Sequence, residues 1–329
     1  ELIQSISVQC QGGPAAIASG SAACELAVGK TIREAVYIND EMISEYLGGM
    51  PGQKVHCSNL GAGALRYAIG DYLGLRRDHP VGALIERLRG AARLVAAEAG
   101  LLDTTVRAEI RKLPPEVAIG DTAHRDYPIW RGREGIIEAC LLDAAGQAYT
   151  PVPVDFQGDL GDVLALDLAG DDETGVRNRG LFVATVNALC AHLGLCRQTI
   201  HCTGVGPEVC AQDLVSVIGA GYPEGTRVLL VGYQPRMAET LQTRFDLRIL
   251  DLDPEIVGRQ FGSVTVESDD ATDEALGWCE IALVTGTTLV NGTADRFVGC
   301  ECRTVFYGIS IAGASALLGL ARFCTQGTD

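Results

Sequence analysis

TRVLLVG, residues Thr226 to Gly232, is a short unbroken apolar run rich in β-branched residues and closed by glycine. A strand buried on both faces reads this way, as in a parallel sheet covered by helices. Working outward, Met237 to Phe245 reads as its crossover helix. LRILDL (Leu247 to Leu252) is the next strand and stops at Asp253-Pro254. Ser263 to Glu267, CEIALVT (Cys279 to Thr285) and RTVFY (Arg303 to Tyr307) supply three more. Strands alternating with helices predict an α/β fold, a doubly wound, Rossmann-like parallel sheet over residues 206–329.

Such sheets bind ligands in the crevice at the carboxyl ends of their strands. The residues expected there are Gly232 and Tyr233 after the first strand and Asp251 after the second. Thr285, Gly286, Thr287 and Asn291 follow the fourth, and Gly308 and Ser310 the fifth. An acid about twenty residues past the first glycine is the place of a ribose-binding carboxylate, although Asp251 and Asp253 also suit helix capping. The sequence has no G-x-G-x-x-G, so a pyrophosphate lacks close backbone approach. The expectation is a small ligand held by hydroxyls and backbone N–H groups rather than a dinucleotide.

Upstream, Pro114-Pro115 breaks the chain and sets a boundary. Residues 114–205 form a cap unit. Ile136 to Leu142 and Gln147 to Val152 make a hairpin, Asp171 to Gly175 an acidic turn, and Leu181 to Leu193 a buried helix. Cys196, His201, Cys202 and Cys210 place four soft ligands within fifteen positions. Their spacing is wider than a C-x-x-C knuckle, so they are read either as metal ligands or as buried thiols. Cys300 and Cys302 are read as a soft-metal or redox-active pair, or a plain surface pair. Residues 79–113 carry a helix, Val81 to Glu98, with Leu84, Leu88, Leu94 and Val95 as its apolar stripe. It reads as a connector.

Residues 1–78 form a third unit. ELIQSISVQC alternates like a strand ending in Cys10. Ala15 to Gly29 is a small-residue helix, Thr31 to Ala35 a short one, and Asn39 or Asp40 caps another that Gly48-Gly49 ends. In Lys54 to Tyr72, His56 and Cys57 stand at a loop–helix junction, with Ser58 or Asn59 as cap. A helix start favours a thiolate there. A thiolate beside an imidazole suits a soft metal or a sulfur-transfer reaction.

Twelve cysteines, 47% apolar and 5% aromatic residues and a net charge of −16 characterise the 329 residues. That charge disfavours nucleic acid and acidic membrane surfaces as partners. No run reaches the ~20 apolar residues of a membrane span, and no signal peptide opens the chain, so the cytoplasm is expected.

Two stretches, QCQGGPAAIASGSAACELAVGKTIREA and LGGMPGQKVHCSNLGAGALRYAIGDY, resemble the NifU/IscU-type iron–sulfur cluster assembly scaffold family over about residues 3–76. The resemblance implies a cysteine scaffold for iron or a nascent iron–sulfur cluster, with zinc as an alternative metal. It makes Cys10 the middle ligand and Cys57 the last, with His56 beside it. The family's first cysteine, in a Cys-Gly-Asp segment, has no counterpart, so either the numbered chain is a fragment that lacks a segment carrying it or the domain is degenerate here. Further ligands would then come from Cys24, the Cys196–Cys210 group, another subunit or a bound small molecule. Residues 103–329 resemble a Rossmann-like heavy-metal-chelation family preceded by an enolase-N-terminal-like cap. The resemblance rests on Gly232 to Pro235, Thr285 to Thr293 and Tyr307 to Ser310.

Together the resemblances imply a homo-oligomeric metallocofactor-biosynthesis protein that holds iron next to a small-molecule crevice and passes it to an acceptor apo-protein. Maturation of a specialised cofactor such as that of mono-iron hydrogenase is one setting. The alternatives are a small-molecule transferase with structural cysteines and a non-catalytic metal-storage or interaction protein.

Overall fold

A computed structural model describes residues 2–10, 13–50, 55–72, 83–111 and 135–329. The first helix, α1 (Pro14–Ala27), opens on a proline whose missing N–H is no loss in a first turn. Thr31 starts α2 (Ile32–Ala35) with a capping box. Glu34 N donates to Thr31 Oγ1 at 3.2 Å, and Thr31 N donates to Glu34 Oε2 at 2.8 Å. Asn39 caps α3 (Asp40–Tyr46) by accepting from Met42 N at 2.9 Å. Then follow α4 (Val55–Tyr72) and α5 (Ala83–Glu98).

Two local expectations change here. Residues 1–10 form no strand among the described residues. Leu2 makes an isolated bridge with Thr31, and the rest lies extended over α1, where Val8 packs on Gly20. The helix α4 begins at Val55, ahead of Ser58, so His56 and Cys57 are its second and third residues.

The stretch expected to be a connector ends in β1 (Thr105–Arg111), a central strand of an antiparallel sheet. β2 (Gly135–Leu141) and β3 (Ala144–Thr150) form the expected hairpin, and β4 (Asp155–Asp159) completes the order β3-β2-β1-β4. The expected boundary at Pro114-Pro115 lies outside the described residues. After α6 (Leu160–Leu164), Asp172 caps α7 (Glu173–His192) by accepting from Gly175 N at 2.9 Å. The α7 helix is buried nearly all round and lies against this sheet. At Gly146 on β3, a Cβ would stand 2.2 Å from Ala188 N of α7, so only glycine permits this approach.

Past α8 (Gly206–Gly219) comes the second sheet. Its elements in chain order are β5 (Arg227–Val231), α9 (Pro235–Leu241), β6 (Asp246–Leu250), β7 (Gln260–Phe261) and β8 (Val264–Glu267). α10 (Thr272–Trp278), β9 (Ile281–Thr285), α11 (Thr287–Asn291), β10 (Arg303–Tyr307), α12 (Ala312–Leu318) and β11 (Arg322–Phe323) complete it. The order is β11-β10-β9-β5-β6-β8-β7, parallel except where β7 meets β8. Leaving out β7, this is the doubly wound order with its switch point between β5 and β9.

The N-terminal helices are built into this body. Arg66 of α4, 4% exposed, donates to Val36 O at 2.9 Å, Ile38 O at 2.7 Å and Ala316 O of α12 at 2.7 Å. At Gly63 a Cβ would fall 2.2 Å from Gly319 Cα, just past α12. The α5 stripe joins the same core: Leu84, Leu88 and Val95 are buried, and Leu84 N donates to Asp295 Oδ1 at 2.8 Å.

Candidate functional site

At the switch point the carboxyl ends of β5 and β9 meet. Gly232 has φ +88, and a Cβ there would stand 2.8 Å from Thr285 Cγ2. From the far side of β9, the Tyr307 hydroxyl donates to Gly232 O at 2.8 Å and lies 3.0 Å from Val231 O. Asp251 closes the floor: its carboxylate accepts from Tyr233 N at 2.6 Å and from Asp253 N at 2.8 Å. Both oxygens thus brace the two turns. Asp253 in turn accepts from Glu255 N at 3.0 Å. Both acids brace turns, and neither caps a helix, the alternative weighed for them.

The opposite wall is a row of hydroxyls. Thr285 and Thr287 Oγ1 lie 2.7 Å apart, and Thr288 Oγ1 donates to Thr285 O at 2.7 Å.

The antiparallel sheet supplies the lid. Tyr149 N donates to Ser310 Oγ at 3.1 Å, and Asn187 Nδ2 donates to both Gln147 O and Ile309 O, at 2.8 and 3.0 Å. These bonds tie β3 and α7 to the loop after β10. Buried Gln147 also orders the segment after α7. It accepts from His201 N at 2.9 Å and donates to Glu138 Oε2 at 2.7 Å. His201 therefore faces Tyr149 edge-on, with ring centres 5.4 Å apart.

Between these walls lies a cavity of about 450 Å³. Gly232, Tyr233, Asp251, Thr285, Gly286, Thr287, Asn291, Gly308 and Ser310 all border it, together with His201, Cys202 and Cys210. Tyr149, Pro151, Arg296 and Cys324 border it too, and sequence reasoning missed them. Cys324 follows a two-residue strand too short to read. Arg296 was legible only as a charge near the Thr285–Thr293 run.

Cys196 does not join this group. It turns back on Cys190, to whose thiol it is hydrogen-bonded, because the chain doubles back at the end of α7. Cys324 stands with Cys202 and Cys210 instead. Burial, then the neighbouring Cys210 and Cys324, pushes the Cys202 thiol up to about 12. Burial, then Cys324, pushes Cys210 up to about 11. At neutral pH both are neutral thiols, poor nucleophiles that a soft cation binds only by displacing protons. Among the described residues no group of three or more His, Cys, Asp or Glu is arranged to hold a metal ion. The crevice is thus a hydrogen-bonding pocket with a thiol rim.

In the N-terminal unit Cys10 is exposed, and His56 and Cys57 stand in the first turn of α4. The α1 and α4 backbones touch: a Cβ at Gly61 would lie 2.6 Å from Ser19 O. Cys24 is half-buried on α1, and burial raises its thiol.

Residues 1–78 match the family profile of the NifU-like N-terminal domain, and residues 215–318 match the family described as "Putative heavy-metal chelation". The chain therefore joins a NifU-like N-terminal domain to a C-terminal domain of that second family. The chain is 56% identical over 70 residues to iron-sulfur cluster assembly scaffold protein IscU 1 of Archaeoglobus fulgidus, covering 21% of this chain and 46% of that protein. It is 40% identical over 99 residues to nitrogen fixation protein NifU of a Nostoc species, covering 30% and 31%. The chain spans less than half the length of these relatives. A protein of unknown function from Pyrococcus horikoshii superposes with a TM-score of 0.39 at 14% identity, over 68% of this chain and 79% of its own. Among the described residues no helix is long and apolar enough to cross a membrane.

Proposed function

We propose that this protein is an iron–sulfur scaffold coupled to a small-molecule site. Iron or a nascent cluster is its cargo, held at the NifU-like domain by Cys10 and Cys57 with His56 beside them. Exposed Cys10 suits a site that must take up cargo and release it to an acceptor apo-protein. These residues do not fill the coordination of a cluster by themselves, so a second protomer or a small thiol or carboxylate ligand supplies the rest.

The crevice holds a small polar molecule. Threonine hydroxyls, Asn291 and turn N–H groups orient it, while Arg296 at the border is ion-paired with Asp273 at 3.2 Å. Cys202, Cys210 and Cys324 border that molecule.

The observation that carries this reading is the match of residues 1–78, which hold Cys10, His56 and Cys57, to the NifU-like N-terminal domain, beside 56% identity over 70 residues to a cluster scaffold. Delivery onto a ligand bound in the same body gives the fusion a purpose. Maturation of a specialised iron cofactor, such as that of mono-iron hydrogenase, is one reaction with that need.

The test is anaerobic reconstitution with ferrous iron and sulfide, followed by metal and sulfide analysis with visible and Mössbauer spectra. The wild-type chain is expected to retain both, Cys10→Ala and Cys57→Ala to lose most of them, and Thr285→Val to keep them. Retention unaffected by both cysteine substitutions would sink the proposal.

A further inference from the structure

Cys300 and Cys302 lie in the bend between the 3₁₀ turn Ala294–Phe297 and β10, rather than on a strand face as their spacing suggests. Their Sγ atoms are 3.2 Å apart. A disulfide needs sulfurs at about 2.05 Å, so closure takes roughly 1 Å of movement. Gly299, at φ +84 with no atom within 4 Å of its Cβ position, leaves the bend room for it. The Cys300 thiol also lies 3.1 Å from Thr304 Oγ1, 3.5 Å from Cys302 O and 3.7 Å from Phe297 O. A third thiol, Cys279, is buried at the end of α10 and hydrogen-bonded to Cys302. No such trio is arranged for a metal ion among the described residues.

We propose that Cys300 and Cys302 form a reversible dithiol–disulfide couple that exchanges with low-molecular-weight disulfides of the thiol-peptide class. Cys300, as thiolate, attacks one sulfur of the external disulfide. The first thiol leaves with the proton that Cys300 gave up. Cys302 then loses its proton and attacks Cys300 in the mixed disulfide, releasing the second thiol. Two protein thiols lose two electrons, and the external disulfide gains them as two thiols. Burial and the adjoining thiols hold the Cys302 proton tightly, so Cys300 attacks first and Cys302 resolves. Cys279 is 7% exposed and is a positioning residue that fixes the Cys302 thiol.

The pair has a convenient signature. Trypsin places both cysteines in the peptide Phe297–Arg303 (FVGCECR), while Cys279 lies in peptide 260–296. The reduced full chain, equilibrated anaerobically in glutathione buffers of graded ratio, is acid-quenched, alkylated, digested and weighed. The expected result is that FVGCECR loses two hydrogens in one cooperative two-electron step. Cys302→Ser should trap a glutathione adduct on Cys300, and Cys279→Ala should still allow the pair to close. The proposal fails if both cysteines remain alkylatable at the most oxidising ratio. It also fails if glutathione stays on wild-type Cys300, or if Cys302 instead cross-links to the Cys279 peptide.

Discussion

Cys202 shows how a single side chain reports on its surroundings. Its thiol is raised from 9.0 to about 12, mainly by burial, so the folded state binds that proton more tightly than the unfolded chain does. Stability from this group is complete below pH 9 and is lost as pH climbs towards 12. Thermal melts between pH 8 and 11 should therefore show the wild-type melting temperature falling more steeply than that of Cys202→Ala. Parallel slopes would mean that the thiol is not desolvated. Cys202 was visible in the sequence as one of four close-spaced ligands. Its true neighbour Cys324 was not, because 122 positions of chain separate them and only the crossover to β11 brings them together.

Among the elements, those easiest to read are the ones buried on both faces. TRVLLVG, LRILDL and RTVFY each proved to be a strand, since each is a short, mostly apolar run whose carboxyl end is buried. β1 was missed although TVRAEIR alternates with period two. A strand with one polar face looks like a continuation of the polar helix before it. The crevice residues were legible because the strands were: their positions follow from where each strand stops. Helix packing was not legible, for it depends on where small residues meet. Gly63→Ala should cost about 1–3 kcal/mol, because its methyl would meet Gly319 Cα at 2.2 Å. Gly90→Ala in α5 has nothing within 4 Å and should stabilise by about 0.5–1 kcal/mol. Urea midpoints of the two variants should move in opposite directions.

For the whole molecule, sequence boundaries suggested units in a row, and the core runs across them. One apolar cluster includes Ile69 of α4, Leu88 of α5, Phe182 of α7 and Leu317 of α12. A chain shortened to residues 103–329 leaves α12 without α4 and α5 over it. Such a fragment should bind a hydrophobic dye and elute as aggregate in gel filtration, whereas the full chain should not. A soluble, cooperatively melting fragment would show that the C-terminal part stands alone.

The Arg66–Ala316 bond spans 250 residues of chain. On a ribosome adding 5–20 residues per second, the arginine waits roughly 12–50 s for its acceptor to be made. Throughout that interval the NifU-like helices have emerged while the surface they close upon does not yet exist. The NifU-like helices are therefore made long before they can be locked in place, and through that interval they stand without one of their walls.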